Sequence, residues 1–387
     1  MEKKHIFWDT QPVARNSNDS LGLVNDKFIK KSKPIETVIP ESLNWCNFDI
    51  HDPKEFDEFH QFLVKNYRTE NEDFPLQYTP ELIKWSLDLN LKDYKVKNLD
   101  SLKYLHIGLR TDSGVLVGVI TAVPVYLLIQ GKSIHTAIVN HLCVIKELRE
   151  KGLAAYLIKE LIRITRLENP NLLKAPLFNA VNLPFSPIVS VNVYVRYLNI
   201  EKLTQTNFIN PIDSNIDYNN FGINKPLNLT YATITDLKEC YKIFKNNQYK
   251  YKLCLDFKNF KQFSTYYKNN NNKGPIYTLV LKKNNKVTDW ISFYKLPCLA
   301  KDSKILLNAV SLLRIEVTTI SETDLLNNAF LFAKNMGFDY FNLLDTYDLG
   351  DSYHELKLDT FNDGMTYYTF NYNCGEVKPN QVGIILP

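Results

Sequence analysis

The stretch from Tyr104 to Leu167 constrains the fold more than any other part of the chain, because it holds consecutive strand signals with no helix between them, followed by one helical stripe. Tyr104 to Leu109 and Val115 to Val123 read as strands around a turn at Thr111 to Gly114, while Lys132 and Ser133 separate a third strand from a fourth, Ala137 to Val144. This predicts an antiparallel meander. Leu153, Leu157, Leu161 and Ile164 then line one face of a helix reaching Leu167, with Lys159, Glu160 and Arg163 off that face. The apolar run Val115 to Ile129 is too short to span a bilayer and is interrupted by Gly118, Thr121 and Pro124.

The same order of elements recurs further on. Helices at Asp49 to Tyr67 and Pro80 to Leu89 precede the first meander, and a helix at Asp236 to Asn246 precedes the second. There, strands at Tyr277 to Leu281 and Val287 to Tyr294 flank a hairpin turn at Lys283 to Lys286, and Leu312 to Val317 forms a third. Ser321, with Asp324 three residues on, then opens a helix that Gly337 closes. Thr204 to Lys225, rich in Asn, Asp and Pro, marks the join. The expected organisation is an amino-terminal half at 1–203, a connecting loop at 204–225 and a carboxy-terminal half at 226–387.

A net charge of +4 on 387 residues lacks the density of a dedicated nucleic-acid binder, so no nucleic-acid partner is expected and function must lie in local sites. Met1 to Lys30 holds no continuous apolar stretch suited to a signal peptide, which predicts a soluble, cytoplasmic protein. The six cysteines are scattered and are read as free thiols, and the histidines show no zinc-ligand spacing, so no metal is expected. The tract Lys268 to Lys273, built of asparagines between lysines, is read as a surface loop.

Arg149 to Ala154 lies between the fourth strand and its helix, where the first amides of the helix have no internal partners. Gly152 permits close approach to the backbone, the helix dipole favours an anion, and Lys146, Arg149 and Lys151 add cationic donors suited to a pyrophosphate. A solvated basic helix start is the competing reading. The pattern R-x-x-G-x-A resembles the acetyl-CoA loop of the GCN5-related acyltransferase fold.

Further segments carry a resemblance over nearly the whole chain. These are Phe7 to Val13, Val139 to Val144, Thr288 to Tyr294 with Leu296 and Pro297, Gly337 to Asp345, and Asp363 and Gly364 followed by Tyr367, Tyr368, Asn371 and Tyr372. In order and spacing they resemble the eukaryotic N-myristoyltransferases. The fold so implied is α/β (α+β), with two pseudo-symmetric GCN5-related acyltransferase-like halves, each a mostly antiparallel twisted sheet flanked by helices. The first half would bind acyl-CoA and the second the peptide. The implied activity is transfer of myristate from myristoyl-CoA to the amine of an amino-terminal glycine on a protein, by direct nucleophilic attack. Myristoyl-CoA would be a co-substrate, no cofactor would be permanently bound, and the protein would be a monomer.

The resemblance also implies roles. Main-chain amides of His141 and Leu142 would form an oxyanion hole, which requires a bulge in the strand. Asn140 would orient the amine, and the terminal carboxylate of Pro387 would take its proton. The apolar end Val382 to Pro387 suits a docked terminus, although a final strand explains it equally. Acyl-CoA contacts fall on Ile6, Phe7, Trp8, Leu142, Val144, Arg149, Glu150, Lys151, Gly152, Leu153 and Ala154. Peptide contacts fall on Glu70, Glu72, Asp73, Phe74, Tyr78, Cys298 and Asp345, the three acidic residues facing a basic side chain or, as the alternative reading, forming a solvated acidic loop. Cys143 is read as a small buried hydrophobe, and the His141 imidazole is the alternative base. Several positions depart from the family pattern: His141 stands for phenylalanine, Glu150 for a phosphate-contacting serine and Gly152 for arginine. Those departures leave open a catalytically degenerate acyl-CoA or acyl-peptide binder, or an acyltransferase with another acyl chain or acceptor.

Overall fold

In the computed structural model the described residues are 6–16, 20–30, 37–67, 72–87, 104–210, 217–223, 225–269, 274–346 and 352–386, without the side chains of 361–363. Two expected site residues, Glu70 and Pro387, lie outside them.

The first half begins with strand β1 (Leu43–Asn47) and helix α1 (Pro53–Asn66). Asp52 caps α1 by accepting from the amides of Lys54 and Glu55, and Pro53 fills the first turn, where a missing N–H costs nothing. The helix buries Phe56, Phe59 and Leu63. Helix α2 (Pro80–Leu87) follows, and then the meander: β2 (His106–Thr111), β3 (Leu116–Ile129) and β4 (Lys132–Val144). Here the structure corrects the expected four strands to three. The tight turn is Gln130 and Gly131, both at positive φ (49° and 76°), as a two-residue hairpin loop demands, so Lys132 and Ser133 already belong to β4. Pro124 does not stop β3, because it pairs with Ala137 on the β4 side. Its other side falls between the segment paired to β2, which ends at Thr121, and the segment paired to strand β7 (Leu253–Leu255), which begins at Leu127. No ladder N–H is needed there.

Helix α3 (Leu153–Glu168) packs on the meander through Leu157 and Leu161 and leads to β5 (Leu177–Asn179), parallel to β4, and then β6 (Val189–Tyr197). The second half repeats this plan. Helix α4 (Ile234–Asn247), with a reciprocal capping box between Thr233 and Asp236, precedes β7 and α5 (Phe260–Tyr267). Its meander is β8 (Ile276–Lys283), β9 (Lys286–Lys295) and β10 (Ala309–Glu316), followed by α6 (Glu322–Asn335) and by β11 (Tyr340–Leu344), parallel to β10. Asn284 and Asn285 supply the hairpin turn, both at positive φ. Strand β12 (Asp359–Thr369) and strand β13 (Val382–Gly383) close the chain.

The halves exchange their last long strands. β6 pairs with β11 of the second half, β12 pairs with β5 of the first, and β12 and β6 pair with each other at the centre. The main path of the sheet therefore runs β13-β7-β3-β4-β5-β12-β6-β11-β10-β9-β8, nearly symmetric about its middle, with Thr230–Tyr231 pairing at the β8 edge and β1 and β2 joined through β3. It is a mostly antiparallel, mixed α/β architecture. β13 lies parallel to β7, and the residues that follow it, Ile384, Ile385 and Leu386, are only 2 to 3% exposed. Among the described residues no helix is long and apolar enough to cross a membrane.

Candidate active site

The register of β3 against β4 slips at one place. Val119 faces Cys143 and Thr121 faces Asn140, so Ile120 alone opposes both His141 and Leu142. This is the bulge that the oxyanion reading required, and His141 sits in it at φ 53°, a left-handed value uncommon for a bulky residue. Thr121 holds the slip together. Its hydroxyl donates to the Asn140 carbonyl at 3.0 Å and lies 2.9 Å from Nδ1 of His141, which makes Nδ1–H the donor in that second contact.

The two amides are not equally bare. The His141 N–H donates to Oδ1 of Asn140 at 2.9 Å, and the Tyr67 hydroxyl reaches the same oxygen at 3.3 Å. A backbone donor left unpaired inside an apolar cavity would be costly, and the neighbouring amide side chain satisfies it. Leu142 lies off the ladder register, its side chain 37% exposed.

Burial sets the protonation of this region. The His141 imidazole is pushed down to about 3, first by desolvation and then by His106, so it is neutral and a poor proton acceptor. Burial lifts the Cys143 thiol to about 12 against the opposing pull of Arg149, which keeps it protonated and without nucleophilic character. Tyr67 is likewise raised to about 12 and remains a hydroxyl donor.

A cavity of about 280 Å³ opens on the bulge. Its walls are apolar side chains of β3, β4 and α3, namely Ile120, Val139, Ile158, Leu161 and Ile162, and its polar lining is Tyr67, Asn140, His141 and Asn179. Trp8 covers it, stacked 6.5 Å from Phe178 and tilted against Phe185 at 4.9 Å. A second cavity, of about 20 Å³, also touches Asn140 and His141 and is bordered by Trp85, Tyr266 and Ile385. One stretch of β4 thus lines both an apolar cavity and a small space that Ile385 borders.

The basic loop after β4 has mixed credentials. Gly152, at φ 82°, is the N-cap of α3 and provides no side-chain cap, and Glu150 is also left-handed at φ 62°. Arg149, however, donates through Nε to the Val144 carbonyl at 3.2 Å and through Nη2 to the Asn66 carbonyl at 2.6 Å, tying α1 to the end of β4. Lys151 and Glu150 are exposed, whereas Val144 and Leu153 are buried. Ile6 is exposed and Phe7 half-buried, with the Lys159 ammonium 6.0 Å from the Phe7 ring.

The expected peptide residues divide into three places. Tyr78 packs edge-on against Tyr67 at 5.4 Å, beside the bulge. Phe74 and Cys298 belong to a separate cluster with Phe208 and Tyr340, where the Tyr340 hydroxyl donates to the Cys298 sulfur at 3.1 Å and Leu76 bridges to Cys298. Asp345 accepts from the amide and the side chain of Asn192 at 3.0 and 2.8 Å, and burial raises its carboxyl above the usual range. Glu72 and Asp73 precede Phe74, with the Asp73 carbonyl accepting from Lys301 N–H. Sequence reasoning passed over Tyr67, Thr121 and Phe178, all of which shape the bulge or its cavity. Only Thr121 left a trace, as a polar residue inside an apolar run.

A mixed α/β fold that sets a strand bulge on the wall of an apolar cavity, beside a helix start without a side-chain cap, has the parts that acyl transfer requires. Comparison with known proteins agrees. The model of the myristoyl-CoA:protein N-myristoyltransferase amino-terminal domain matches residues 24–189, and that of its carboxy-terminal domain matches 223–385. The chain is 29% identical over 395 residues to a glycylpeptide N-tetradecanoyltransferase of Dictyostelium discoideum, covering 99% of this chain and 93% of that one. It is 29% identical over 397 residues to the Plasmodium falciparum enzyme of the same name, with 98% and 93% covered. A crystal structure of Saccharomyces cerevisiae N-myristoyltransferase with bound myristoyl-CoA matches at a TM-score of 0.83 and 25% identity, over 100% of both chains. The chain belongs to the N-myristoyltransferase family of enzymes.

Proposed function

We propose that this protein transfers a myristoyl group from myristoyl-CoA to the α-amine of an amino-terminal glycine on a protein. The observation that carries the reading is the bulge at His141 and Leu142 opening on an apolar cavity. The acyl chain occupies the cavity and its thioester carbonyl reaches the bulge. There the carbonyl oxygen displaces Asn140 Oδ1 from the His141 amide and takes the Leu142 amide as second donor, so both dipoles face the charge that develops during attack. The displaced Asn140 oxygen then accepts from the attacking amine. Nitrogen bonds to the carbonyl carbon, the C–S bond breaks, and the departing thiolate takes the second proton from that nitrogen, so that a neutral amide remains and CoA leaves as thiol. No acyl-enzyme is needed, which fits a Cys143 held as thiol.

The amine, with an ordinary pKa of about 7.7 to 8.0, must first lose a proton. We assign that step to the Pro387 carboxylate. The burial of Ile384 to Leu386, and the approach of Ile385 to the space beside Asn140, support this assignment. The uncapped start of α3, with left-handed Glu150 and Gly152, is the proposed cradle for the CoA pyrophosphate, with Lys151 adding charge and Ile6, Phe7 and Trp8 lying over the thioester arm. Residues 1–203 would hold the acyl-CoA, 226–387 much of the peptide groove through Cys298 and Asp345, and 204–225 would join them, while Glu70, Glu72, Asp73, Phe74 and Tyr78 cover the peptide.

The direct experiment is incubation with myristoyl-CoA and a glycine-initiated octapeptide, following acylated peptide and free CoA thiol by mass spectrometry. Equal amounts of both are expected, and none with an amino-acetylated peptide. Binding of acyl-CoA without transfer would replace the proposal with a binding-only role.

A further inference from the structure

The second half carries a buried ion pair with no part in the chemistry above. Arg314 of β10 is fully buried, as is Glu316. The guanidinium donates to Oε1 of Glu316 through Nε, at 2.7 Å, and through Nη2, and it lies between the rings of Phe244 (4.9 Å) and Tyr251 (4.4 Å). Asn247 holds the other Glu316 oxygen at 2.7 Å. So many fixed contacts leave the guanidinium one orientation, and in it Nη1 donates to the carbonyl of Gly383 at 3.0 Å. Gly383 fits because it lacks a side chain: a Cβ there would stand 2.7 Å from Nη1, 2.7 Å from the Tyr251 ring and 2.9 Å from Cys254 Cβ.

A buried pair of this kind gives little net stability, since desolvating two charges offsets their attraction, so its role is read from what it positions. The carbonyl it holds belongs to the last paired residue of the chain. Beyond it the Tyr367 hydroxyl donates to the Ile384 carbonyl at 3.3 Å, and Ile385 borders the cavity shared with Asn140 and His141. We propose that Arg314 is a positioning residue, which through Gly383 fixes the path of the last residues so that the end of the chain meets the reacting centre. The proposal rests on the terminal carboxylate being the base.

The test uses the full chain with Arg314→Met paired with Glu316→Gln, so that no unpaired charge is left buried, and with Arg314→Lys as the conservative variant. Tyr367→Phe is the gentler probe should the pair fail to fold. Hydrogen exchange of amides 384 to 386 should quicken at least tenfold in Arg314→Met/Glu316→Gln and less in Arg314→Lys. kcat should fall roughly tenfold or more while acyl-CoA affinity stays within twofold. Combined with an amidated Pro387, the same substitutions should cost no further activity. Unchanged exchange in the tail, or a loss of kcat that adds fully to that of amidation, would overturn the proposal. Full activity of the amidated protein alone would instead remove the base assignment, a separate outcome read on unsubstituted Arg314.

Discussion

In the first half the pair β3–β4 slips register at His141 and Leu142, and in the second half the pair β9–β10 slips at the equivalent station, where Leu313 is the extra residue. The first slip opens on a cavity of about 280 Å³, whereas Leu313 fills the second with its own side chain, 3% exposed. The helices that follow differ in the same sense. α3 starts at Gly152 with no side-chain cap, while α6 starts at Ser321, whose hydroxyl caps Asp324 N–H at 3.0 Å. A repeated frame thus supplies a bulge and a helix start twice, and the proposed site lies where both are left unfilled. Where they are filled, the frame does structural work: Arg314, next to Leu313, latches the tail that runs back to the first half.

The comparison breaks most visibly at the end of the chain, the one element of the second half assigned to the chemistry of the first. General-base catalysis contributes about a hundredfold to ten-thousandfold. Amidating Pro387 by semisynthesis should cut kcat by roughly that factor and leave the melting temperature and acyl-CoA affinity nearly intact, as steady-state kinetics and calorimetry would show. Undiminished turnover would move the base elsewhere. The His141 imidazole is then a weak substitute, since burial holds it near 3.

The next effect is at the uncapped helix. Charge-assisted hydrogen bonds contribute about 1.5 to 3 kcal/mol each, and Arg149→Ala with Lys151→Ala should weaken free CoA and acyl-CoA by the same few kcal/mol at most. The structure divides the two residues. Lys151 is exposed and should account for most of the affinity, whereas Arg149, tied to Val144 and Asn66, should also lower the melting temperature. Titration calorimetry on the single variants separates them, and equal affinity for CoA in wild type and double variant would abandon the loop as the phosphate site.

Much of this contrast was legible in the sequence. The hairpin at Lys283 to Lys286, the cap Ser321 with Asp324 and the helix end at Gly337 are set by local chemistry, and each falls where the residues put it. The bulge was legible only through family resemblance, because nothing in Asn140, His141 or Leu142 by itself dictates a left-handed residue. Pro124 sits inside β3 for a physical reason: proline ends a strand only where its missing N–H is needed, and that depends on which strand lies alongside. Nor could local reading anticipate the exchange of β6 and β12, the pairing of β7 with β3, or Asn140 covering the His141 amide, all of which depend on contacts between residues far apart or on side-chain geometry.

Acid should sharpen the comparison between the buried first-half site and the rest. His106 and His135 are held near 4 and His141 near 3, each mainly by desolvation, against 6.5 when unfolded. Between pH 6.5 and those values the unfolded chain binds the extra protons, so stability falls as pH drops through that window and is unaffected above it. The slope is roughly 1.4 kcal/mol per pH unit for each proton. His141→Phe should therefore match wild type in its pH dependence above pH 7 and lose about 2 kcal/mol less between pH 6 and 4.5, measured by urea unfolding. Parallel curves down to pH 4.5 would mean that His141 titrates normally in the folded protein.

The smallest effect concerns the filled helix start of the second half. Ser321→Ala removes an N-cap, which typically costs about 1 kcal/mol, so the melting temperature should fall by a few degrees. Turnover and CoA affinity should not change, because α6 makes no phosphate contact in this reading. The cap alone is not what keeps an anion away. Glu322 and Asp324 occupy the first turn, where their carboxylates already satisfy the positive end of the helix dipole. Ser321→Gly combined with Glu322→Gln and Asp324→Asn clears both obstacles and gives the second half the bare start that α3 has. Calorimetry with acyl-CoA should still count one per chain, since the slip at Leu313 holds a buried side chain where the first half leaves room for the acyl chain. A second CoA bound at α6 would show that an open helix start is sufficient by itself, and that the filled bulge is not part of what distinguishes the halves.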